Sequence, residues 1–193
     1  MLKVAIVGNI ASGKSTVETS LKTSGYMVLD TDKVCHELLL AKVVSDEFAS
    51  YDVFDNGVIS RDKLGKLVFN NLELKSKLEN ILYPMVKVKI DEFFEQFSTE
   101  TVVFVSIPLL FEAGMEDLFD KIIFVYCGDE IRLNRLIARN NYTKEYAQLR
   151  LDSQQSQKDK LQKSDFVIYN ESSLKALDVQ IEDVLAKLIV AEK

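Results

Sequence analysis

A parallel α/β sheet with helices on both faces is the fold class this sequence predicts, and three observations predict it. Short apolar runs rich in β-branched residues, at 2–7, 26–29, 101–105, 121–126 and 165–169, alternate with longer stretches of helical period. The first run, Leu2-Lys3-Val4-Ala5-Ile6-Val7, leads directly into a loop bounded by Gly8 and Gly13 and then into a helical segment. The composition, 47% hydrophobic and 28% charged over 193 residues, is that of a globular chain with a sizeable core.

The elements follow in order. Ser15 to Lys22 reads as a helix ended by Gly25. Tyr26-Met27-Val28-Leu29 is the second strand, and Thr31 to Leu40 a helix after it. Ser60 stands as N-cap for a helix over 61–69. Leu74, Leu78, Ile81 and Leu82 make one apolar stripe; Val86, Ile90, Phe93, Phe94 and Phe97 make another. Pro84 lies between the stripes and is expected to break or kink the helix at Tyr83. Most of these apolar positions are expected to be plain core. After the last strand, Leu174, Leu177, Ile181, Val184, Leu185 and Leu188 keep helical spacing, as a helix covering one sheet face does.

One domain is expected, 1–193, in three parts. A core comprises about 1–30, 99–128 and 164–193, a helical insertion about 31–98, and a helical lid about 129–163. The insertion is too long for one crossover helix and could wall off a second ligand.

Ligands of such sheets sit beyond the carboxyl ends of the strands, so the informative residues follow each strand. The first is Gly8-Asn9-Ile10-Ala11-Ser12-Gly13-Lys14-Ser15, a fit to the phosphate-binding pattern G-x-x-x-x-G-K-[ST]. Its glycines let backbone N–H groups turn inward toward a phosphate, and the following helix aims its positive end at the same anion. Lys14 would reach the β- and γ-phosphates, and Ser15 would ligate Mg²⁺. Asn9, Ile10, Ala11, Ser12, Gly13, Lys14, Ser15 and Thr16 are therefore the candidate nucleotide-binding residues, and the fold expected is P-loop NTPase-like.

The second strand ends in Asp30-Thr31-Asp32. A kinase needs a carboxylate there to accept or orient a hydroxyl proton, although Asp also favours turns and N-caps. The third strand runs into Ser106, not into the acid that many phosphate-loop proteins use to hold Mg²⁺ through water. After the fourth strand come Arg132, Arg135 and Arg139; the last two share a helix face, and guanidinium groups on a flap suit a phosphoryl group in flight. One of these arginines is expected to be structural. His36, the only histidine, has no ligand partner at metal spacing and is read as a surface or core residue.

Net charge is −6, yet residues 132–163 carry +5 against −11 for the remainder. A local basic stretch on an acidic chain suits a small polyanion rather than nucleic acid, or else it is a solvated helix face. No apolar run is long enough to span a bilayer, and the first strand begins at residue 2, so no leader is expected. Cys35 and Cys127 have no metal spacing and are expected to be reduced, in the cytoplasm. A monomer without nucleic-acid or membrane partners is expected.

Taken together, these strings resemble the dephospho-coenzyme A kinase family over nearly the whole chain. Gly8 to Ser15 with Thr16-Val17 is similar to the family's opening, and Leu29-Asp30-Thr31-Asp32 to its D-x-D, whose second Asp, here Asp32, is assigned as the base. Pro108-Leu109-Leu110-Phe111-Glu112 matches the family-specific P-L-L-F-E. Arg135 and Arg139 fall where the family carries lid arginines. Gln154, then Ser164-Asp165-Phe166-Val167-Ile168-Tyr169-Asn170, resembles the closing segment, which implies that Asn170 lies near adenine. The departures from the pattern are Tyr83-Pro84 for His-Pro, Ser106 for a frequent Asp, Ser164 for Ala, and Gln157, Lys158 and Lys160, which only loosely follow the basic pattern between Gln154 and Ser164.

The resemblance implies ATP and Mg²⁺ as cofactors and phosphorylation of the ribose 3′-hydroxyl of dephospho-coenzyme A. It implies Asp32, Lys14, Arg135 and Arg139 as catalytic residues. Tyr83, Pro84, Leu109, Leu110, Glu112 and Gln154, with Asp32, are the residues it implies for acceptor binding. Another small-molecule kinase, such as a nucleoside monophosphate or shikimate kinase, is the nearest alternative. A GTPase-like switch would need N-K-x-D, which the chain lacks.

Overall fold

The computed structural model describes residues 1–190; the last three residues of the expected core segment, 191–193, lie outside the described residues. In chain order the elements are β1 (Leu2–Val7), α1 (Lys14–Thr23), β2 (Met27–Asp30), α2 (Thr31–Leu38), α3 (Lys42–Glu47), β3 (Phe54–Asp55), β4 (Val58–Ile59), α4 (Arg61–Phe69) and α5 (Leu72–Gln96). Then follow β5 (Val102–Ser106), β6 (Lys121–Tyr126), α6 (Asp129–Asn140), α7 (Lys144–Asp152), α8 (Gln157–Gln162), β7 (Phe166–Tyr169) and α9 (Leu174–Val190). The chain forms two compact units, one of residues 1–29 and 97–193, the other Asp30–Gln96.

The first unit is built on a parallel five-stranded sheet of order β2-β5-β1-β6-β7, flanked by helices. Central β1 pairs in parallel with β5, Leu2 opposite Val102, and with β6, Val4 opposite Lys121. A strand hydrogen-bonded on both sides and covered on both faces must be apolar throughout, and Val4, Ala5, Ile6 and Val7 are all 0% exposed. One sheet face, with Val4, Ile6, Phe104, Ile123 and Ile168, packs on Val17 and Leu21 of α1 and on Leu177, Ile181, Val184, Leu185 and Leu188 of α9. The spacing of the α9 residues is the helical stripe the sequence carries.

The stretch after β6 is three short helices, each with its own stop or start signal. Asn141 takes a left-handed conformation, φ 53°, to end α6; Thr143 caps α7 by accepting from the Tyr146 amide, and Ser156 caps α8 by accepting from the Asp159 amide.

The second unit is helical around Val44, Phe48, Val53, Ile59, Leu64, Leu74 and Leu82. It contains a helix, α3, and a two-residue antiparallel ribbon, β3–β4, that the sequence pattern does not announce. Their apolar residues are too few and too short in span to set a period. Ser60 occupies the N-cap position of α4 but makes no capping bond; its hydroxyl serves the Asp55 carboxylate instead.

The expected break at Tyr83 does not occur. α5 runs unbroken for 25 residues with Pro84 inside it. Pro84 removes the amide that would reach the Asn80 carbonyl, at about 3 kcal/mol. Buried Leu74 and Leu82 before it, and Val86, Ile90, Phe93 and Phe94 after it, anchor both halves on apolar contacts and hold the helix together. Pro84→Ala is therefore expected to stabilise the chain, raising its unfolding free energy in urea by about 1–3 kcal/mol. An unchanged or lower urea midpoint would show that Pro84 is accommodated without loss.

Candidate active site

The loop between β1 and α1 is a tight anion cradle, and its shape follows from two left-handed residues, Ala11 (φ 62°) and Gly13 (φ 89°). A side chain at Gly13 would be strained and would put its Cβ 1.9 Å from Asn170 Nδ2. That contact exists because Asn170, at the end of β7 and 7% exposed, donates from Nδ2 to the Ser12 carbonyl at 2.8 Å. Arg135 reaches the same place from α6, donating to the Ser12 carbonyl at 3.4 Å and to the Asn170 carbonyl at 3.1 Å.

The segment between α7 and α8 closes the other side. Gln154 accepts from the Ile10 amide at 2.6 Å, and Asn9 donates to the Gln155 carbonyl at 2.9 Å. Four strands of chain thus meet at one loop. Two polar atoms inside it, Ser12 Oγ and Asn9 Oδ1, are buried without a hydrogen-bond partner. A buried hydroxyl left unmatched is unfavourable by about 1–3 kcal/mol, and an incoming phosphate oxygen would satisfy it. The cradle therefore fits a polyphosphate.

Lys14 opens α1, and its ammonium, 11% exposed, pairs with Glu18 Oε1 at 3.0 Å and donates to Ser106 Oγ. Ser106 in turn donates to Glu18 Oε1. Ser15 is exposed and offers a hydroxyl at the helix start; Thr16 is half-buried with its amide on the Gly13 carbonyl. For Mg²⁺ the donor set is hard oxygen, the Ser15 hydroxyl with the Glu18 carboxylate on the same helix face, which is chemistry that suits this ion.

The remaining expected residues of this unit stand as follows. Leu109 is exposed and Leu110 fully buried. Glu112 pairs at 2.7 Å with Lys160, whose side chain is fully buried, and leaves its second oxygen without a partner. Arg139 is exposed and donates to Asn140. Buried Arg132 faces Asp129 at 3.7 Å, and burial lowers its pKa. The basic stretch is thus not one solvated face: Arg132, Arg135 and Lys160 point inward and are bonded there.

In the second unit, Asp30 is the N-cap of α2, accepting from the amides of Asp32 (3.0 Å) and Lys33 (3.4 Å), while Asp32 sits exposed in the first turn. Cys35 follows one turn later; burial, then Asp32 and Asp30, push its thiol up to about 11, so it stays protonated at neutral pH. His36 is exposed and in close contact with Arg61; burial and that guanidinium lower its pKa. Tyr83 is half-buried and Pro84 exposed.

Sequence reasoning missed Glu18, Lys160 and the structural use of Arg135. Only Glu18 left a signal, its spacing of four from Lys14 on a predicted helix.

A sequence profile described as Dephospho-CoA kinase matches residues 2–176. The chain belongs to the dephospho-CoA kinase family. Among curated relatives, the dephospho-CoA kinase of Listeria innocua is 36% identical over 196 aligned residues, covering 96% of each chain. The solved dephospho-CoA kinase from Campylobacter jejuni is 31% identical, with a TM-score of 0.75 over 99% of this chain and 98% of that one. Shikimate kinase from Acinetobacter baumannii, solved with shikimate, is 16% identical with a TM-score of 0.56, covering 100% of this chain and 95% of its own, and shares the fold alone. The chain is a kinase, and kinases of this family use ATP. Among the described residues no helix is long and apolar enough to cross a membrane.

The Lys160–Glu112 pair yields a stability test. Lys160→Met leaves a carboxylate half-buried without its counter-ion and is expected to lose about 3–5 kcal/mol, whereas Lys160→Met with Glu112→Leu recovers most of that loss. Urea unfolding of the three proteins measures both; equal losses in single and double variants would mean that the pair's charge is not what matters.

Proposed function

We propose that the chain transfers the γ-phosphoryl group of ATP to the ribose 3′-hydroxyl of dephospho-coenzyme A, giving coenzyme A. The observation that carries this reading is the loop at Gly8–Ser15: a rigid cradle with a buried, unmatched Ser12 hydroxyl and a lysine ammonium at its rim, in a chain of this family. Loop amides and Lys14 hold the β- and γ-phosphates, and the α1 N-terminus stabilises their charge. Ser15 holds Mg²⁺, which when bound neutralises phosphate charge. Asn170, packed on the loop, borders the adenine.

Asp32 takes or orients the proton of the attacking hydroxyl. Its exposed place in the first turn of α2, beside the capping Asp30, supports this, since a base needs access to the hydroxyl. Arg139, exposed on α6, closes over the transferring group, and Arg135 keeps the loop in shape beneath it. Residues 129–163 act as the lid, and about 31–98 as the acceptor-binding insertion. We assign acceptor binding to Tyr83 and Pro84 in that insertion, and to Leu109, Leu110, Glu112 and Gln154 of the first unit. The kinase works as a cytoplasmic monomer on small molecules.

ADP release in the presence of dephospho-coenzyme A, compared with AMP, shikimate and pantothenate, tests the acceptor; turnover with any of the other three and not with the first would overturn it. Asp32→Asn is expected to lower turnover by about 10²–10⁴-fold with ATP affinity nearly unchanged, and near-wild-type turnover would remove Asp32 from the mechanism.

A further inference from the structure

β5 ends on a serine, yet a carboxylate stands beside it. Glu18, on α1, is 6% exposed, accepts from Ser106 Oγ, and takes the Lys14 ammonium at 3.0 Å. Ser106 itself is 0% exposed and bridges the two, accepting from Lys14 and donating to Glu18. Three polar groups from two elements are closed together directly under the phosphate loop.

Stability of α1 does not explain this arrangement. Lysine in the first turn opposes the helix dipole, and α1 has no acid in that turn. Lys followed by Glu at i+4 is also the weaker order for such a pair. A buried ion pair is often matched or exceeded by apolar side chains of similar size. A glutamate suits this helix position, so it is the burial of its carboxylate against Ser106 and Lys14 that asks for a reason. Lys14 is required by the phosphates, so what Glu18 and Ser106 add is direction and a negative charge at the strand end.

That charge is what phosphate-loop kinases place at this strand end to receive the water ligands of Mg²⁺. Glu18 and Ser15 are three apart on α1 and share a face. Among the described residues no group of three or more His, Cys, Asp or Glu could hold a metal, so the cation must draw on few protein oxygens and keep most of its water. We propose that Glu18 is the positioning carboxylate of this kinase: with Ser106 as its hydroxyl link it directs Lys14 and receives the hydration shell of Mg²⁺ held at Ser15. The acid that the strand end lacks stands on the neighbouring helix, and Ser106 connects it to the lysine. The inference rests on reading the loop as the Mg²⁺–ATP site.

The test is to move the carboxylate back. Calorimetry would measure ATP affinity in EDTA and across a Mg²⁺ titration for wild type, Glu18→Gln, and the double variant Glu18→Ala with Ser106→Asp. In Glu18→Gln the Mg²⁺ concentration needed for tight ATP binding is expected to rise about 10- to 100-fold, beyond any change in the affinity measured in EDTA, which reports the loss of the Lys14 partner alone. The double variant is expected to return the Mg²⁺ requirement to within about threefold of wild type. A wild-type Mg²⁺ requirement in Glu18→Gln overturns the proposal. So does a double variant that folds, by circular dichroism and urea midpoint, without regaining that requirement. Should Glu18→Gln fail to fold, Glu18→Asp, which keeps the charge but shortens its reach, is titrated instead and is expected to shift in the same direction; no shift there is equally fatal. Failure of the wild-type protein to bind ATP with Mg²⁺ would sink the reading of the loop itself, which separates the two claims.

Discussion

The phosphate loop is held from all sides, and the rest of the site depends on that constraint. Left-handed backbone at Ala11 and Gly13 is a conformation that most side chains resist, so it persists only where the surroundings enforce it. Here Asn170 and Arg135 grip the Ser12 carbonyl, Gln154 takes the Ile10 amide, and Asn9 ties back to the Gln155 carbonyl. The ties come from three other parts of the chain, and Asn170, Arg135, Gln154 and Asn9 are each side chains that sequence reasoning assigns to a ligand. The loop is pre-organised for phosphate at the expense of those side chains' freedom to move toward one.

This recasts what the basic segment at 132–163 does. A +5 stretch on an acidic chain reads as an attractive patch for a polyanion. In the fold, Arg135 serves backbone carbonyls, Arg132 lies buried near Asp129, and Lys160 is sealed against Glu112. Charge buried in this way needs partners, and each of the three has at least one, although Arg132 Nε is buried without a hydrogen-bond partner. Arg139 is instead exposed on α6 and donates to Asn140. The segment is basic chiefly because it must fasten itself to oxygen atoms of the core.

The sheet was legible because its signals are local and repeated. Val4 to Val7, buried on both faces, could be read as a run, and α9 as a stripe with helical period. The loop was legible because glycine spacing encodes backbone shape directly. The short α3 and the β3–β4 ribbon were not, since neither is long enough to show a period. Of the expected break or kink at Pro84 the break does not occur, because the missing amide competes with apolar anchoring on either side of it, and the anchoring prevails. At the second strand's end, the alternative of a helix cap holds for Asp30, which two amides occupy, and not for Asp32. Lys160 gave no signal at all: nothing in a polar stretch marks which lysine will be buried.

Ser106 shows why a position can mislead where a place does not. Read along the chain, β5 lacks an acid, and the metal site looks short of a carboxylate. Read in space, the Glu18 carboxylate touches Ser106 from α1, and Lys14 joins them. Lys14 is thus paired with Glu18 beside the loop, and the helix N-terminus, the unmatched Ser12 hydroxyl and the Arg135 guanidinium at the Ser12 carbonyl together make a setting that suits an anion. A net −11 outside the basic segment does not forbid this, because charges beyond about 8 Å are screened at physiological ionic strength. Specificity for a polyphosphate then comes from the fit of a rigid cradle, and the buried carboxylate beneath it decides how that cradle handles the accompanying cation.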